Sequence, residues 1–207
     1  MKKIFVLILA NFLAISLFAQ GKDLGPITSL FTDYYAGRDS VVAKNTVYSV
    51  EDLYDDIYRL RNNNNKYTGV PAQFIESGVK FDVSLGNLIS TDLSIVDKIF
   101  SEILADKKEL ELRDDISREI AFYVLVDSET GKIIEFRFFW LDGAISGQRN
   151  LLGCISPFEI EEIENRMKEE VVFDVSRFRE IPPVNFVVKL ISVRIKNGEI
   201  KARRPAL

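Results

Sequence analysis

Apolar and polar positions alternate with a period of two over much of the second half of the chain. In several other stretches they repeat every three to four residues, and that contrast assigns most of the elements. Glu119 to Val126 (EIAFYVLV) and Lys132 to Leu141 (KIIEFRFFWL) are both rich in aromatic and β-branched residues. Between them, Asp127-Ser128-Glu129-Thr130-Gly131 has turn chemistry, with Gly131 able to take a positive φ. The pair therefore predicts a β-hairpin. Val184 to Ile195, entered through Pro182-Pro183, predicts a long strand. Asn197-Gly198 signals a tight turn after it, and Glu199 to Ala202 a short returning edge strand. Val79, Phe81, Val83 and Leu85 alternate with polar residues and predict one further half-buried strand.

Helical spacing marks four segments. Ser90 or Thr91 caps a helix to about Asp106, with Leu93, Val96, Ile99, Phe100, Ile103 and Leu104 facing inward. Ser156-Pro157-Phe158-Glu159 combines a capping box with proline at the first helical position, opening a helix to about Glu170 whose stripe is Ile160, Ile163 and Met167. Earlier in the chain, Pro26 to Ala36 predicts a helix ended by Gly37. Ser49, with Asp52 three residues on, predicts another to about Arg61, with Leu53, Ile57 and Leu60 buried. The acids Glu51, Asp52, Asp55 and Asp56 would then sit where the helix dipole favours negative charge. Asn62 to Asn65 should break that helix, because asparagine side chains compete for backbone hydrogen bonds; the tetrad is the best candidate for a mobile tip.

These elements describe an α+β protein. The expected core is an antiparallel sheet, made of hairpin 119–141 and strand 184–195, packed against amphipathic helices, with an N-terminal helical subdomain. The expected organisation is an N-terminal α+β region over 20–115 and a β-β-α-β region over 116–207, or one continuous domain, with a seam around Lys107 to Asp115. Residues 1–19 have the anatomy of a secretory signal peptide: Lys2 and Lys3, an apolar run from Ile4 to Phe18, and Ala19 at the cleavage point. The run is short for the roughly 20 residues of a membrane-spanning helix, so no stable span is expected after cleavage.

Composition narrows the chemistry. The formal net charge is −4 before any leader is removed, and its loss takes away Lys2 and Lys3 as well. Such a chain has no electrostatic reason to bind nucleic acid or an anionic membrane. With no histidine, Ser-His-Asp and Cys-His catalysis, His-ligated zinc and imidazole base work are excluded. Cys154 is the single cysteine, so no internal disulfide can form and packing alone must hold the fold. Leu151-Leu152-Gly153-Cys154 matches the box before a lipidated cysteine, but it lies far from the N-terminus. Cys154 reads instead as a small core residue.

The stretch FYVLVDSETGKIIEFRFF, followed by FEIEEIENRMKEEVVF and PPVNFVVKLISVRI, resembles the C-terminal domain of TonB-type energy transducers. There, a strand pair with a D-x-D-G-K-like turn precedes a helix and a closing strand. The resemblance spans about residues 116–196 and implies a β-β-α-β topology. It does not extend to the family's uncleaved anchor or long proline-rich spacer, and Val171-Val172-Phe173 stands where a tryptophan- and proline-containing stretch is expected. The Ala19-Gln20 junction resembles those of exported envelope proteins of Gram-negative bacteria.

Without histidine, acid–base chemistry would fall to Asp, Glu, Lys or Tyr. Glu135 on the second hairpin strand and Asp142 at its end are the candidate catalytic carboxylates, and Trp140, the only tryptophan, is the candidate ligand platform. Two carboxylates facing a cleft about 5 to 10 Å apart, beside an aromatic ring, would suit a glycan. A calcium site in Asp127 to Gly131 lacks the twelve-residue pattern of such loops. Ser94 and Lys98 are spaced one residue too far apart for an S-x-x-K dyad. No cofactor or metal is expected. The leading expectation is an exported, periplasmic or secreted, non-enzymatic module that binds a partner, such as an outer-membrane or surface protein. The alternative is a carboxylate-dependent hydrolase of glycans or peptides.

Overall fold

The computed structural model describes residues 34–54, 57–81, 83–107, 118–142, 151–196 and 198–203. The leader-like residues 1–19, and all but the end of the helix expected over Pro26 to Ala36, lie outside them. The end that is described, Tyr34 to Gly37, is a turn. It is anchored by the Tyr35 hydroxyl, which donates to the Ile155 carbonyl at 2.6 Å.

Seven strands form one antiparallel sheet: β1 (Ser40–Val42), β2 (Val47–Tyr54), β3 (Ile57–Asn62), β4 (Arg118–Val126), β5 (Ile133–Asp142), β6 (Val187–Lys196) and β7 (Glu199–Arg203). Their order is β1-β2-β3-β5-β4-β6-β7. Among the described residues two α-helices accompany them, α1 (Leu93–Ile103) and α2 (Pro157–Glu170). The fold is thus α+β, as the hydrophobic pattern implies. Strands from both the N-terminal and the C-terminal regions share one sheet, all within the compact unit Thr32–Leu207.

β4 lies between β5 and β6 and is apolar on both sides. Ile120, Phe122, Val124, Leu125 and Val126 are all fully buried. Side chains alternate along a strand, so Ile120, Phe122 and Val124 share one face while Tyr123 and Leu125 share the other. On the first face, Phe122 stacks on Phe100 of α1 at 6.0 Å and meets Phe136 of β5 at 5.2 Å. On the second, Leu125 joins Phe186, Val188 and Ala72, with Tyr67, Val70, Phe81 and Ile134 packed around them. The chain between β3 and α1 therefore covers the face that the helices leave open.

α2 begins where its sequence signature says. Ser156 accepts from the Glu159 N–H at 3.3 Å, the Glu159 carboxylate accepts from the Ser156 N–H at 2.7 Å, and Pro157 is the first helical residue. α1 is capped one residue later than expected, by Asp92, which accepts from the Ser94 N–H at 2.9 Å. Thr91 donates instead to the Val172 carbonyl, and Ser90 exchanges backbone bonds with Asp174. Cys154 is buried as a core residue.

Two expectations fail for identifiable reasons. The helix expected over Ser49 to Arg61 is instead the hairpin β2–β3, with Val50 opposite Leu60 and Glu51 opposite Arg59. Tyr58, Leu60 and Asn62 are buried at a spacing of two, opposite the buried Tyr48 of β2. What selects the hairpin is the outer edge of β5, whose Phe139 to Asp142 pair with Leu60 to Ile57. Glu51 consequently pairs across the hairpin with Arg59 at 3.1 Å rather than serving a helix dipole. The N-terminal helical subdomain is absent from the described residues to that extent. Second, the strand expected from Val79 to Leu85 reduces to one bridge, Lys80 to Gln73, followed by a 3-10 turn, Val83–Leu88. That turn packs on β6, where β7 pairs only with Ser192 to Lys196. Gly86 lies so close that a Cβ there would meet the Val188 carbonyl oxygen at 2.2 Å.

The hairpin turn is held in the same manner. Gly131 has φ +71° and a Cβ there would lie 2.0 Å from the Phe173 carbonyl oxygen, whereas Gly69, with φ +79°, has open space around it. Gly131→Ala therefore combines left-handed strain with a backbone collision and should cost about 3 kcal/mol, a fall in Tm of about 6 to 12 °C. Gly69→Ala carries the strain alone and should cost about 1 kcal/mol. Thermal unfolding of the two variants side by side checks the assignment, and equal losses would contradict it.

Candidate functional site

Buried acids are the first places to look for chemistry, because catalysis needs perturbed ionisation. α2 carries two of them one turn apart. The Glu161 carboxylate accepts from the Lys44 N–H at 2.8 Å, the Asn45 N–H at 2.8 Å and the Thr46 hydroxyl at 2.7 Å. Glu164 accepts from the Asn62 side-chain amide at 2.7 Å. Burial pushes Glu164 up to about 7, against the opposing pull of Lys168 and the Asn62 hydrogen bond. Burial, reinforced by Glu164, likewise holds the buried Tyr48 phenol far above its usual range. The donors to Glu161 are the β1–β2 connection, and Asn62 ends β3. The pair therefore ties the N-terminal strands to α2, a structural use of carboxylates.

Glu135 has a comparable use. It is buried, and its carboxylate accepts from the backbone N–H groups of Lys66 and Tyr67, the latter at 3.2 Å to each oxygen. Arg137, two residues on, donates to the carbonyls of Tyr67 and Val70 and lies over the Phe186 ring at 5.8 Å. Burial lowers the Arg137 pKa, with Glu135 opposing the shift. Asp142 ends β5 and pairs with Ile57 and Glu119; Trp140 pairs with Arg59 and Ala121. Their side chains lie outside the described residues. Seven residues of extended strand separate Glu135 from Asp142 by about 23 Å.

The asparagine tetrad, expected as a mobile tip, is tied down. The Asn63 N–H donates to the Val47 carbonyl, the Asn64 N–H to the Asn62 side chain and the Asn65 N–H to the Asn62 carbonyl. The Asn65 side-chain amide donates to the Phe136 carbonyl. The 127–131 turn also uses its own oxygens: Asp127 Oδ1 accepts from the Thr130 N–H, the Thr130 hydroxyl and the Glu129 N–H. Partial burial opposes ionisation of Asp127, but those hydrogen bonds outweigh it and hold the carboxyl below its usual range. No grouping of three or more acidic or cysteine side chains able to hold a metal ion occurs among the described residues.

What these clamps leave open is a groove of about 520 Å³. It runs between the β4–β5 turn, the chain after α2 and the covering segment. Phe173, Phe178, Ile181 and Pro183 give it an apolar floor and wall, and Ile75 stands at its margin, 61% exposed. Its two charged lining side chains, Glu129 and Asp174, are both acidic. Glycine-forced contact at Gly131, the bridge between Lys132 and Val172 and the bridge between Phe74 and Val184 fix its sides. Concavity with mixed apolar and polar lining is the usual character of a binding site. Sequence pattern could not assemble it, because its residues come from three separate segments that lack regular periodicity.

Glu164 supplies a test of the clamp. The folded chain holds a proton at this site that the unfolded chain releases between about pH 4.5 and 7. Stability should therefore fall as pH rises through that window, by at most about 3 kcal/mol from this group. Glu164→Gln removes the titration and should flatten the decline in Tm between pH 5 and pH 8. Parallel pH profiles for the two proteins would rule the assignment out.

No family model matches the chain, and no curated protein matches it. Among solved structures, the chain is similar to the crystal structure of a DUF5043 family protein from Bacteroides uniformis, with a TM-score of 0.57 and 16% sequence identity over 84% of this chain and 88% of that one. At that identity, what the two proteins share is the α+β fold.

Proposed function

We propose that the chain is an exported envelope protein that acts as a non-enzymatic binding module. Its groove takes an apolar, basic segment of a partner at the outer membrane or cell surface. The observation that carries this reading is the open groove itself, about 520 Å³, with apolar side chains and the acids Glu129 and Asp174 among its described lining residues. Apolar walls supply burial energy, and Glu129 and Asp174 favour a Lys- or Arg-bearing segment and disfavour acidic ones. The buried carboxylates Glu135 and Glu161, by contrast, accept from backbone N–H groups, and Glu164 accepts from the Asn62 side chain, uses that favour binding over hydrolysis.

Export is supported by the leader-like first nineteen residues. Among the described residues, no helix is long and apolar enough to cross a membrane. The succession β4–β5–α2–β6 is the order that prompts comparison with TonB-type C-terminal domains. It supports an envelope setting without requiring an energy-transducing role.

A photo-crosslinking residue placed at Ile75 in cells should give one discrete adduct in the envelope fraction. The same residue at Val42, exposed on β1 at the sheet edge, should give none. Reversing the groove charge with Glu129→Lys and Asp174→Lys should abolish the Ile75 adduct. Absence of an adduct at Ile75, or one that persists after charge reversal, would refute the groove as the partner site.

A further inference from the structure

A second cavity, of about 260 Å³, lies under the asparagine tetrad. It is lined by Asn64, Asn65, Lys66, Ile134, Glu135 and Lys168, together with Asn62 and Tyr67. Three features distinguish it from ordinary polar surface. Its frame is fixed: Asn62 is bonded to Glu164, Asn65 to the Phe136 carbonyl, and the backbone of Lys66 and Tyr67 to buried Glu135. A site held this way loses little entropy when a ligand enters.

Its cationic side chains also have capacity to spare. Neither the Lys66 nor the Lys168 ammonium forms an ion pair with a described residue, although Lys168 is near enough to Glu164 to oppose its protonation. Glu135 is the acid in the lining, and its oxygens already accept from two backbone N–H groups. The lining thus carries two lysines against one carboxylate whose oxygens are already hydrogen-bonded to the main chain. Lastly, the Asn64 and Asn65 side-chain amides each donate to a main-chain carbonyl, of Asn45 and Phe136, which leaves a second amide hydrogen and the oxygen of each for hydroxyl groups. A volume near 260 Å³ admits one small polar ring, below the size of drug-like ligands.

From this convergence we propose that the cavity is a binding site for a small anionic polyol, a single sugar unit bearing a carboxylate or phosphate. Its charge lies against Lys66 and Lys168, and its hydroxyls meet the asparagine amides. The site is separate from the groove at Ile75 and Glu129, so either can exist without the other. Groove residues come from the β4–β5 turn and the chain after α2, whereas this cavity lies by the end of β3 and the last turn of α2.

The experiment is calorimetric titration of the full chain with glucuronate, glucose 6-phosphate, glucose and inorganic phosphate at low and physiological salt. Saturable one-to-one binding of glucuronate or glucose 6-phosphate, tighter than glucose and than inorganic phosphate and weakened by salt, is expected. The arm that binds more tightly tells carboxylate from phosphate. Lys66→Gln and Lys168→Gln should each weaken that binding about two- to fivefold, the worth of one exposed charge pair. Lys66→Gln keeps the backbone N–H that Glu135 accepts from, and Lys168→Gln keeps the Asn62–Glu164 hydrogen bond while removing a charge that opposes Glu164 protonation, so a cooperative unfolding transition in each variant verifies folding. Glu129→Gln in the groove should have no effect. Absence of saturable binding of either anionic sugar, glucose or inorganic phosphate binding as tightly, or indifference to both lysine variants would overturn the proposal.

Discussion

Everything in this structure follows from a central strand that is apolar on both faces. β4 cannot present Ile120, Phe122 and Val124 to one side and Leu125 to the other without two covers. At about 25 cal/mol per Å², burial of such side chains is the dominant favourable contribution to the fold. Helices supply one cover through the conventional route of an amphipathic stripe. The other is a stretch of chain with scarcely any regular structure of its own, laid over Leu125, Phe186 and Val188. That choice sets the remaining problems the molecule solves.

An irregular cover carries backbone N–H and C=O groups that no helix or ladder satisfies. Here β5 reaches up to meet them. Glu135 accepts from Lys66 and Tyr67, while Arg137 donates to Tyr67 and Val70. Asn185 does the same beside β6, accepting from the Gln73 N–H at 3.0 Å and donating to the Pro71 carbonyl at 2.9 Å. Glu161 repeats the device on the helix side, accepting from the backbone of the β1–β2 connection, while Glu164 holds the Asn62 side-chain amide at the end of β3. Burying such groups is costly unless they are hydrogen-bonded, so each charged side chain is placed where the main chain needs it. The raised proton affinity of Glu164 is the residue of that cost.

Both open sites arise at the margins of this second cover. The groove forms where the covering segment meets the β4–β5 turn and the chain after α2. The smaller cavity forms where the segment leaves β3. The groove is lined by turns and irregular chain, and the cavity combines irregular chain with the start of β5, the end of β3 and the last turn of α2. Their frames are nevertheless rigid, since close contacts at Gly131 and the Glu135 clamp fix the backbone around them. Irregular chain held rigidly over a regular scaffold is where binding residues commonly sit.

By itself the sequence determined the elements whose signals are local. The hairpin over 118–142, the box-capped α2, α1 and the β6–β7 pair were legible because periodicity and capping act within a few residues. It also located Glu135 on its strand, though not the backbone that Glu135 serves. Only the tertiary structure decided the state of residues 47–62, whose apolar positions fit either a helix or a hairpin until the open edge of β5 offered pairing. The same holds for Val83 to Leu88, where the unpaired part of β6 favoured a 3-10 turn over a strand, and for both cavities. Their residues are distant in sequence and carry no periodic signal. Local spacing fixes what a segment can become, and long-range burial and backbone pairing choose among those possibilities.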